Sequence, residues 1–401
     1  MNILEAASCR DSWQEFLDYK TDRQHLSAGE EKELRDFIRR EAYLPLCEAW
    51  RRGEYPAQYP VKRVVNKQGT KKKRVVYSFD GDEGIFLKFV AFRLFCFDSY
   101  FCDNCYAFRR TLGVKDAIRR IRRTPEIGDM YCLKADVSNY FNSIPVKRLL
   151  EKLLFVRESD EALYGLFQRI LSREQVMENG REVTESHGAM AGTPVSPFFA
   201  NVYLREADFF FQQQGILYFR YSDDILIFAE TRDKLEEYRI RLYGMLEELG
   251  LAVNPEKVCI SEPGQEWEFL GFCYRNGEID LSRMTIQKTK AKIRRKAEAL
   301  RRWQRKKALP GEKAAVGLIR AMNCKFYGGS IPGESADFTW SRWFFPNLTV
   351  DTGLRELDAY LQQYIRYAVT GRHYKGNYRI TYQQLKEWGY RSLVHEYYVY
   401  R

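Results

Sequence analysis

The chain has 401 residues and is 45% hydrophobic, enough for more than one domain with a substantial core and too much for a disordered polymer. Lys and Arg number 65 against 54 Asp and Glu, a net charge of +11 that points to a polyanionic partner, nucleic acid first. Nine scattered cysteines hold a single Cys102-x-x-Cys105 pair, and the four histidines show no metalloprotease spacing, so the thiols read as buried side chains of a reducing compartment rather than a zinc site. No apolar run approaches the ~20 residues of a membrane span. Met1-Asn2-Ile3-Leu4-Glu5 lacks the basic and apolar blocks of a signal peptide, so a cytoplasmic protein without a membrane partner is expected.

In chain order, residues 1 to about 55 read as helical. Ser27 is placed to cap a helix carrying Leu34, Phe37 and Ile38 at helical spacing, and Pro45, Tyr55-Pro56 and Tyr59-Pro60 are expected to end this part. Val61 to Tyr77 reads as a hairpin, two β-type runs around a basic loop that contains Gly69. Such a hairpin suits either the clamping of phosphates or a solvated edge guarded by lysines. Gly81 to about Arg123 is apolar and mostly helical. Met130 to Asp136 reads as a strand ending on an acid, and Pro145 opens a helical stretch to about Ser172. Glu178-Asn179-Gly180-Arg181 is a hairpin turn, and His187 to Pro197 a loop of small residues feeding a helix from Phe198 to about Gln214.

Next come Phe219-Arg220-Tyr221-Ser222-Asp223-Asp224-Ile225-Leu226-Ile227-Phe228, which read as strand, tight turn and strand with two acids at the tip. Carboxylates about 4 Å apart repel by roughly 4 kcal/mol at an effective dielectric near 20. Water screens that cost in a surface turn; a hard divalent cation offsets it in a site. An amphipathic helix follows from Lys234 to Leu249, stopped by Gly250, then a turn bearing Lys257 and a hairpin that starts at Glu268-Phe269-Leu270-Gly271-Phe272 and turns at Asn276-Gly277. Between Leu281 and Lys307 twelve bases accompany one acid, Glu298, so the excess charge of the chain sits in one segment. Residues from about 340 to 401 are rich in Tyr, Trp and Phe and end on Tyr397-Tyr398-Val399-Tyr400-Arg401.

The order of these motifs resembles that of the reverse transcriptases over roughly residues 60 to 275. Tyr221-Ser222-Asp223-Asp224 resembles their Tyr-x-Asp-Asp box, Asp136 with Tyr140-Phe141 the first catalytic-aspartate motif, and Lys73-Arg74 the basic fingers motif. Tyr106 to Arg110 followed by Asp116-Ala117-Ile118 is similar to the helix start of group II intron enzymes. Gly192 to Pro197 with Ala200 to Leu204, Lys257, and Phe269-Leu270-Gly271 are similar to the remaining palm motifs. The family's usual Gln before the Gly of the small-residue loop is here Ala191, so the nucleotide contact made by that Gln is not carried over.

The resemblance implies an α+β right-hand polymerase fold: N-terminal helices and fingers over 1–125, an antiparallel-sheet palm over 126–275 with part of the fingers at about 145–188, a basic helical thumb over 276–335, and an aromatic C-terminal helical segment over 336–401. It implies RNA-directed DNA synthesis by phosphoryl transfer, with two magnesium ions, or manganese in their place, on Asp136, Asp223 and Asp224. Lys73, Arg74, Phe141, Gly192 and Lys257 would bind the incoming nucleotide, the Phe141 ring excluding a ribose 2′-hydroxyl. Phe269, Leu270 and Gly271 would grip the primer. Arg283, Lys288, Lys292, Arg294, Arg295, Arg301 and Arg302 would lie along the duplex. The implied partners are an RNA template, the DNA product and deoxynucleotides, with a dedicated non-coding RNA as the template, a partner protein and a second copy of the chain left open. The Gly-Thr-Pro-x-Ser-Pro loop and the aromatic tail are more similar to the defence-associated, abortive-infection and "unknown group" enzymes of bacteria, which implies anti-phage defence and makes Tyr397, Tyr398 and Tyr400 candidate protein primers. Untemplated or protein-primed synthesis and a retron or group II intron enzyme are the alternatives within the family. A catalytically dead nucleic-acid-binding scaffold is the alternative outside it.

Overall fold

A computed structural model describes residues 2–24, 26–66, 73–328 and 339–401. Its contacts divide the chain into two units, Met1–Arg23 with Gly29–Gln265, and Gln24–Ala28 with Glu266–Arg401.

The first unit begins with the helices Ile3–Ala7, Arg10–Tyr19, Ala28–Arg39 and Tyr43–Arg51. Trp13 is their hub: its ring stacks on Phe89 at 4.1 Å and on Tyr43 at 5.4 Å, and its indole N–H donates to the Ala7 carbonyl at 2.8 Å. Pro45 does not end this part. It sits in the first turn of Tyr43–Arg51, where its missing N–H is one that has no intrahelical acceptor in any case.

Strands β1 (Val61–Asn66) and β2 (Lys73–Ser78) form the expected hairpin, in register from Val61↔Ser78 to Asn66↔Lys73; the basic loop between them, 67–72, lies outside the described residues. Helices Gly81–Arg93 and Val114–Arg123 precede β3 (Tyr131–Asp136). Four short helices from Tyr140 to Ser172 lead to β4 (Gln175–Glu178) and β5 (Arg181–Thr184), joined at Asn179-Gly180, both with positive φ as a two-residue hairpin turn requires. The helix expected from Phe198 to Gln214 is two helices, Ser196–Tyr203 and Arg205–Gln213, with the break at Leu204. Strands β6 (Leu217–Tyr221), β7 (Asp224–Ala229) and, after helix Arg232–Glu248, β8 (Cys259–Ser261) complete the unit. One sheet has the order β2-β1-β4-β5 and the other β6-β7-β3-β8, the latter antiparallel throughout.

The second unit holds the antiparallel sheet β9 (Trp267–Phe269), β10 (Phe272–Arg275) and β11 (Glu278–Leu281), followed by helices. The basic segment is one helix, Arg283–Lys306, capped by the Ser282 hydroxyl, which accepts from the Thr285 N–H at 3.1 Å. It buries Thr289, Ile293 and Ala297 at four-residue spacing and leaves most bases outward. Among the described residues, no helix is long and apolar enough to cross a membrane.

Asp358, buried in helix Thr352–Thr370, fixes the C-terminal helix Leu393–Tyr400. It accepts from the Tyr390 hydroxyl at 2.7 Å, the Ser392 hydroxyl at 2.6 Å, the Leu393 N–H at 2.8 Å and the Val394 N–H at 3.0 Å. Asp358→Ala leaves those donors buried without acceptors, so the second unit should lose roughly 3 kcal/mol. Urea unfolding followed by tyrosine and tryptophan fluorescence checks this; an unchanged midpoint would show that water replaces the carboxylate.

Candidate active site

The acidic turn is built by two registers. Strands β6 and β7 pair from Leu217↔Phe228 to Tyr221↔Asp224, which leaves Ser222 and Asp223 as a two-residue turn, Ser222 at φ +61°. Asp224 therefore opens a strand, and only Asp223 is at the tip. Strand β7 also pairs with β3, where Asp136 stands directly opposite Asp224. Opposed residues of an antiparallel pair share a face with Cβ atoms about 5 Å apart, so two like charges meet. The Val137 N–H donates to the Asp223 carbonyl at 3.1 Å and ties the third acid to the other two.

Burial pushes the Asp223 carboxyl above its ordinary range, with the Asp136 charge next. Burial raises Asp224 too; the Lys134 ammonium 4.0 Å away works against it, while Asp223 and Asp136 add to it. The Asn254 N–H donates to the Asp136 carbonyl at 2.8 Å and brings the turn Pro255–Lys257 alongside, where the Lys257 ammonium contacts the Asp136 carboxylate. Among the described residues, no three His, Cys, Asp or Glu side chains already form a ligand cage. The donor chemistry nevertheless fits a hard dication. The oxygens come from three adjoining positions, and at Asp223 and Asp224 a cation would offset the burial and mutual repulsion that disfavour the ionised forms.

Around the acids the structure gathers residues from distant segments. The Arg74 guanidinium lies 6.0 Å from the Phe141 ring centre. Phe108, 43% exposed and with φ +58°, sits 6.4 Å from Phe141 and 6.2 Å from Tyr221, ring to ring. Asn142 joins three pieces: its Nδ2 donates to the Val75 carbonyl at 3.3 Å, and its Oδ1 accepts from the Ala191 N–H at 3.0 Å. The Tyr77 N–H donates to the Ala191 carbonyl at 2.8 Å, so the loop that carries Gly192 is fastened to β2. Sequence reasoning singles out neither Asn142 nor Phe108; Phe108 stands in the Tyr106–Arg110 run, but Asn142 carries no signal beyond lying next to Phe141.

Compared with known proteins, residues 65–274 match the family model described as reverse transcriptase (RNA-dependent DNA polymerase). The chain belongs to the reverse transcriptase family. A curated relative, the retron Ec86 reverse transcriptase of Escherichia coli, is 23% identical over 175 residues, 42% of this chain and 50% of that one. The chain thus spans about half the length of the curated relative it matches. Among solved structures, apo telomerase of Candida tropicalis is 12% identical at a TM-score of 0.49, over 83% of this chain and 63% of that one. Telomerase of Candida albicans with a telomeric RNA fragment is 13% identical at a TM-score of 0.43, over 88% and 68%. The α+β class expected for this reverse transcriptase family member is the class observed, helices with antiparallel sheets. Domains of this family generally work with divalent metal ions.

Lys73 opens β2 in the first unit, and the remaining residues that the resemblance picks out lie in the second unit. Leu270 (φ +53°) and Gly271 (φ +89°) form the turn between β9 and β10, and the Gly271 carbonyl accepts from the Ser282 N–H at 2.8 Å and the Thr285 hydroxyl at 2.9 Å. Phe269 is buried. On the basic helix Arg283, Lys288, Arg294, Arg295 and Arg302 are exposed and Lys292 is half-buried. Arg301 is engaged elsewhere: its Nη1 donates to the Val369 carbonyl at 2.9 Å and the Ala368 carbonyl at 3.3 Å, capping the end of Thr352–Thr370. Tyr397 is buried and its hydroxyl donates to the Leu348 carbonyl at 3.0 Å, whereas Tyr398 and Tyr400 are exposed.

Gly192 has φ +103°, and a Cβ there would meet the Tyr77 carbonyl oxygen at 2.9 Å and the Val76 Cβ at 3.1 Å. Gly192→Ala should break the Tyr77–Ala191 bond and cost roughly 2 kcal/mol, from the strained backbone and the clash together. Faster hydrogen exchange at the Tyr77 amide and a lower melting temperature are the expected readings; wild-type values for both would show that the loop tolerates a side chain.

Proposed function

We propose that the protein is an RNA-directed DNA polymerase that adds deoxynucleotides to a primer hydroxyl by metal-assisted phosphoryl transfer. The observation that carries this is the register that sets Asp136 against Asp224, with Asp223 in the turn beside them, inside the segment that matches the family. The carboxylates of Asp136, Asp223 and Asp224 would hold two magnesium ions, with manganese as a substitute. Those ions supply activation of the attacking hydroxyl and stabilisation of the leaving oxygen. The chain's own groups do the rest. Arg74 would fork onto the triphosphate, as guanidinium geometry favours, and the Lys73 ammonium would add a point charge beside it. Lys257 would balance charge beside Asp136, and Phe141, flanked by Arg74 and Phe108, would close the space that a 2′-hydroxyl needs.

In this reading the first unit carries fingers and palm, and the second carries the primer grip at Phe269, Leu270 and Gly271 and a thumb built on Arg283–Lys306. The template would be RNA and the product DNA. A role in bacterial anti-phage defence is part of the proposal, supported by the likeness of the Gly192–Pro197 loop and the aromatic tail to defence-associated enzymes.

The test is incorporation of labelled deoxynucleotide on primed RNA with magnesium. The Asp223→Ala/Asp224→Ala protein should stay folded, because a repulsive pair is relieved, and should lose essentially all incorporation; a folded double variant that polymerises normally would sink the assignment. Duplex binding should also be electrostatic. Changing Arg294, Arg295 and Arg302 to Gln should lower the salt slope of log K by about 0.7–0.9 for each phosphate that is no longer neutralised, with little dependence on sequence. An unchanged slope would make this helix face a solvated surface.

A further inference from the structure

Arg220 precedes the acidic turn in β6, and none of it is exposed. A charged side chain in that position is costly unless paired. Its partner is Asp208 on helix Arg205–Gln213, itself 1% exposed. The guanidinium meets the carboxylate as a two-pronged fork: Nε donates to Oδ1 at 2.6 Å, and Nη2 donates to Oδ2. The Tyr218 hydroxyl donates to the same Asp208 Oδ1 at 3.0 Å. Nη2 also reaches Cys105 Sγ at 3.2 Å, and Nη1 reaches Asn201 Oδ1 at 3.5 Å. The backbone of Arg220 is fixed as well, its N–H donating to the Asn104 carbonyl and its carbonyl accepting from the Tyr106 N–H, both at 2.9 Å.

One further bond leaves this cluster. Nη1 donates to the Ser222 carbonyl at 3.2 Å. That carbonyl belongs to the peptide joining Ser222 to Asp223, and Ser222 holds φ +61°, a conformation costing a non-glycine residue of the order of 1 kcal/mol or more. Packing alone does not call for the ion pair, because a buried pair is commonly replaced by apolar side chains of similar volume at no loss of stability. What apolar side chains cannot supply is a donor aimed at this one peptide. We infer that Arg220, clamped by Asp208, is a positioning residue: it holds the Ser222–Asp223 peptide in its left-handed turn and thereby sets where the Asp223 carboxylate stands relative to Asp136 and Asp224. The inference rests on the polymerase reading above.

Two variants test it. Arg220→Met/Asp208→Leu/Tyr218→Phe replaces the ion pair and the hydroxyl joined to it by apolar side chains, and Arg220→Lys keeps a cation opposite Asp208 but loses the fork that reaches both partners. Each is measured for melting temperature, for binding of Mn²⁺ by electron paramagnetic resonance, and for kcat and KM of deoxynucleotide incorporation. A positioning role predicts that the triple variant melts close to the wild type, binds Mn²⁺ on the order of 10-fold more weakly and loses on the order of 10- to 100-fold in kcat, as outer groups around metal sites typically do, with KM little changed. Arg220→Lys should show the same losses in smaller measure. A folded triple variant with wild-type Mn²⁺ binding and kcat overturns the inference. If the triple variant does not fold, wild-type Mn²⁺ binding and kcat in Arg220→Lys overturn it instead; if neither variant folds, Arg220 is a folding residue and the inference is wrong. The polymerase reading fails separately: wild-type protein would then neither polymerise nor lose Mn²⁺ binding on Asp223→Ala/Asp224→Ala.

Discussion

The pairing of β3 with β7 is the constraint on which the candidate site depends. It places Asp136 against Asp224 in a largely buried position where two like charges are unfavourable, and the Val137–Asp223 bond adds a third. The counter-charges are organised around that fact. Lys134 is two residues back on the same face of β3, and Lys257 arrives because the Asp136 carbonyl accepts from the Asn254 N–H. A one-residue slip of β3 would turn Asp136 and Lys134 together to the opposite, apolar face and take both away from Asp224. The apolar residues that prevent the slip are Leu133, Ala135, Ile225 and Ile227, all buried on the other face of the same strands.

Strain collects near the same place. Four non-glycine residues take left-handed backbone there: Phe108 beside Phe141 and Tyr221, Asn139 three residues after Asp136, Met190 next to the loop of Ala191 and Gly192, and Ser222 in the turn itself. Such residues persist only where neighbours over-determine them. The neighbours are identifiable. Asn142 holds the loop, the Ala189 N–H donates to the Phe141 carbonyl at 2.8 Å, and the Tyr140 hydroxyl donates to the Ala200 carbonyl at 2.5 Å. Gly188 is tight for the same reason, since a Cβ there would lie 2.6 Å from the Phe141 carbonyl oxygen. The Phe141 carbonyl is thus held by the Ala189 N–H and closely packed by Gly188.

What can be read from the sequence is what local pattern controls. Alternation of apolar and polar residues marks the hairpins, Asn-Gly pairs mark two of their turns, and two adjacent acids between β-type runs mark the candidate site. Misreadings arise where one residue type has two meanings. Pro45 stops a helix in its interior but fits its first turn, and the break at Leu204 falls in a continuously helix-compatible run. Arg301 reads as one more base in a charged stretch, yet it caps a helix far away in sequence. Asn142, Arg220 and Asp358 are invisible for a common reason. Their partners are 49 to 67 residues away for Asn142, 2 to 115 for Arg220 and 32 to 36 for Asp358, and a single polar residue in a helix or strand carries no mark of what it will meet.

Asp208 and Asp358 show how the same buried carboxylate can serve different ends. Each is almost fully enclosed and each accepts several hydrogen bonds. Asp358 takes two from backbone N–H groups at the start of Leu393–Tyr400, so its charge is met by the positive end of a helix and by two hydroxyls, and its effect ends with docking that helix. Asp208 takes its principal bonds from a guanidinium, which has more donors than one carboxylate can use. The surplus donors must go somewhere in a dry interior, and the acceptors within reach are Asn201, Cys105 and the Ser222 carbonyl. A lysine would satisfy the charge but not this geometry, because its donors radiate from one atom instead of lying in a plane. The choice of cation thereby couples the buried pair to the acidic turn through the bond to the Ser222 carbonyl.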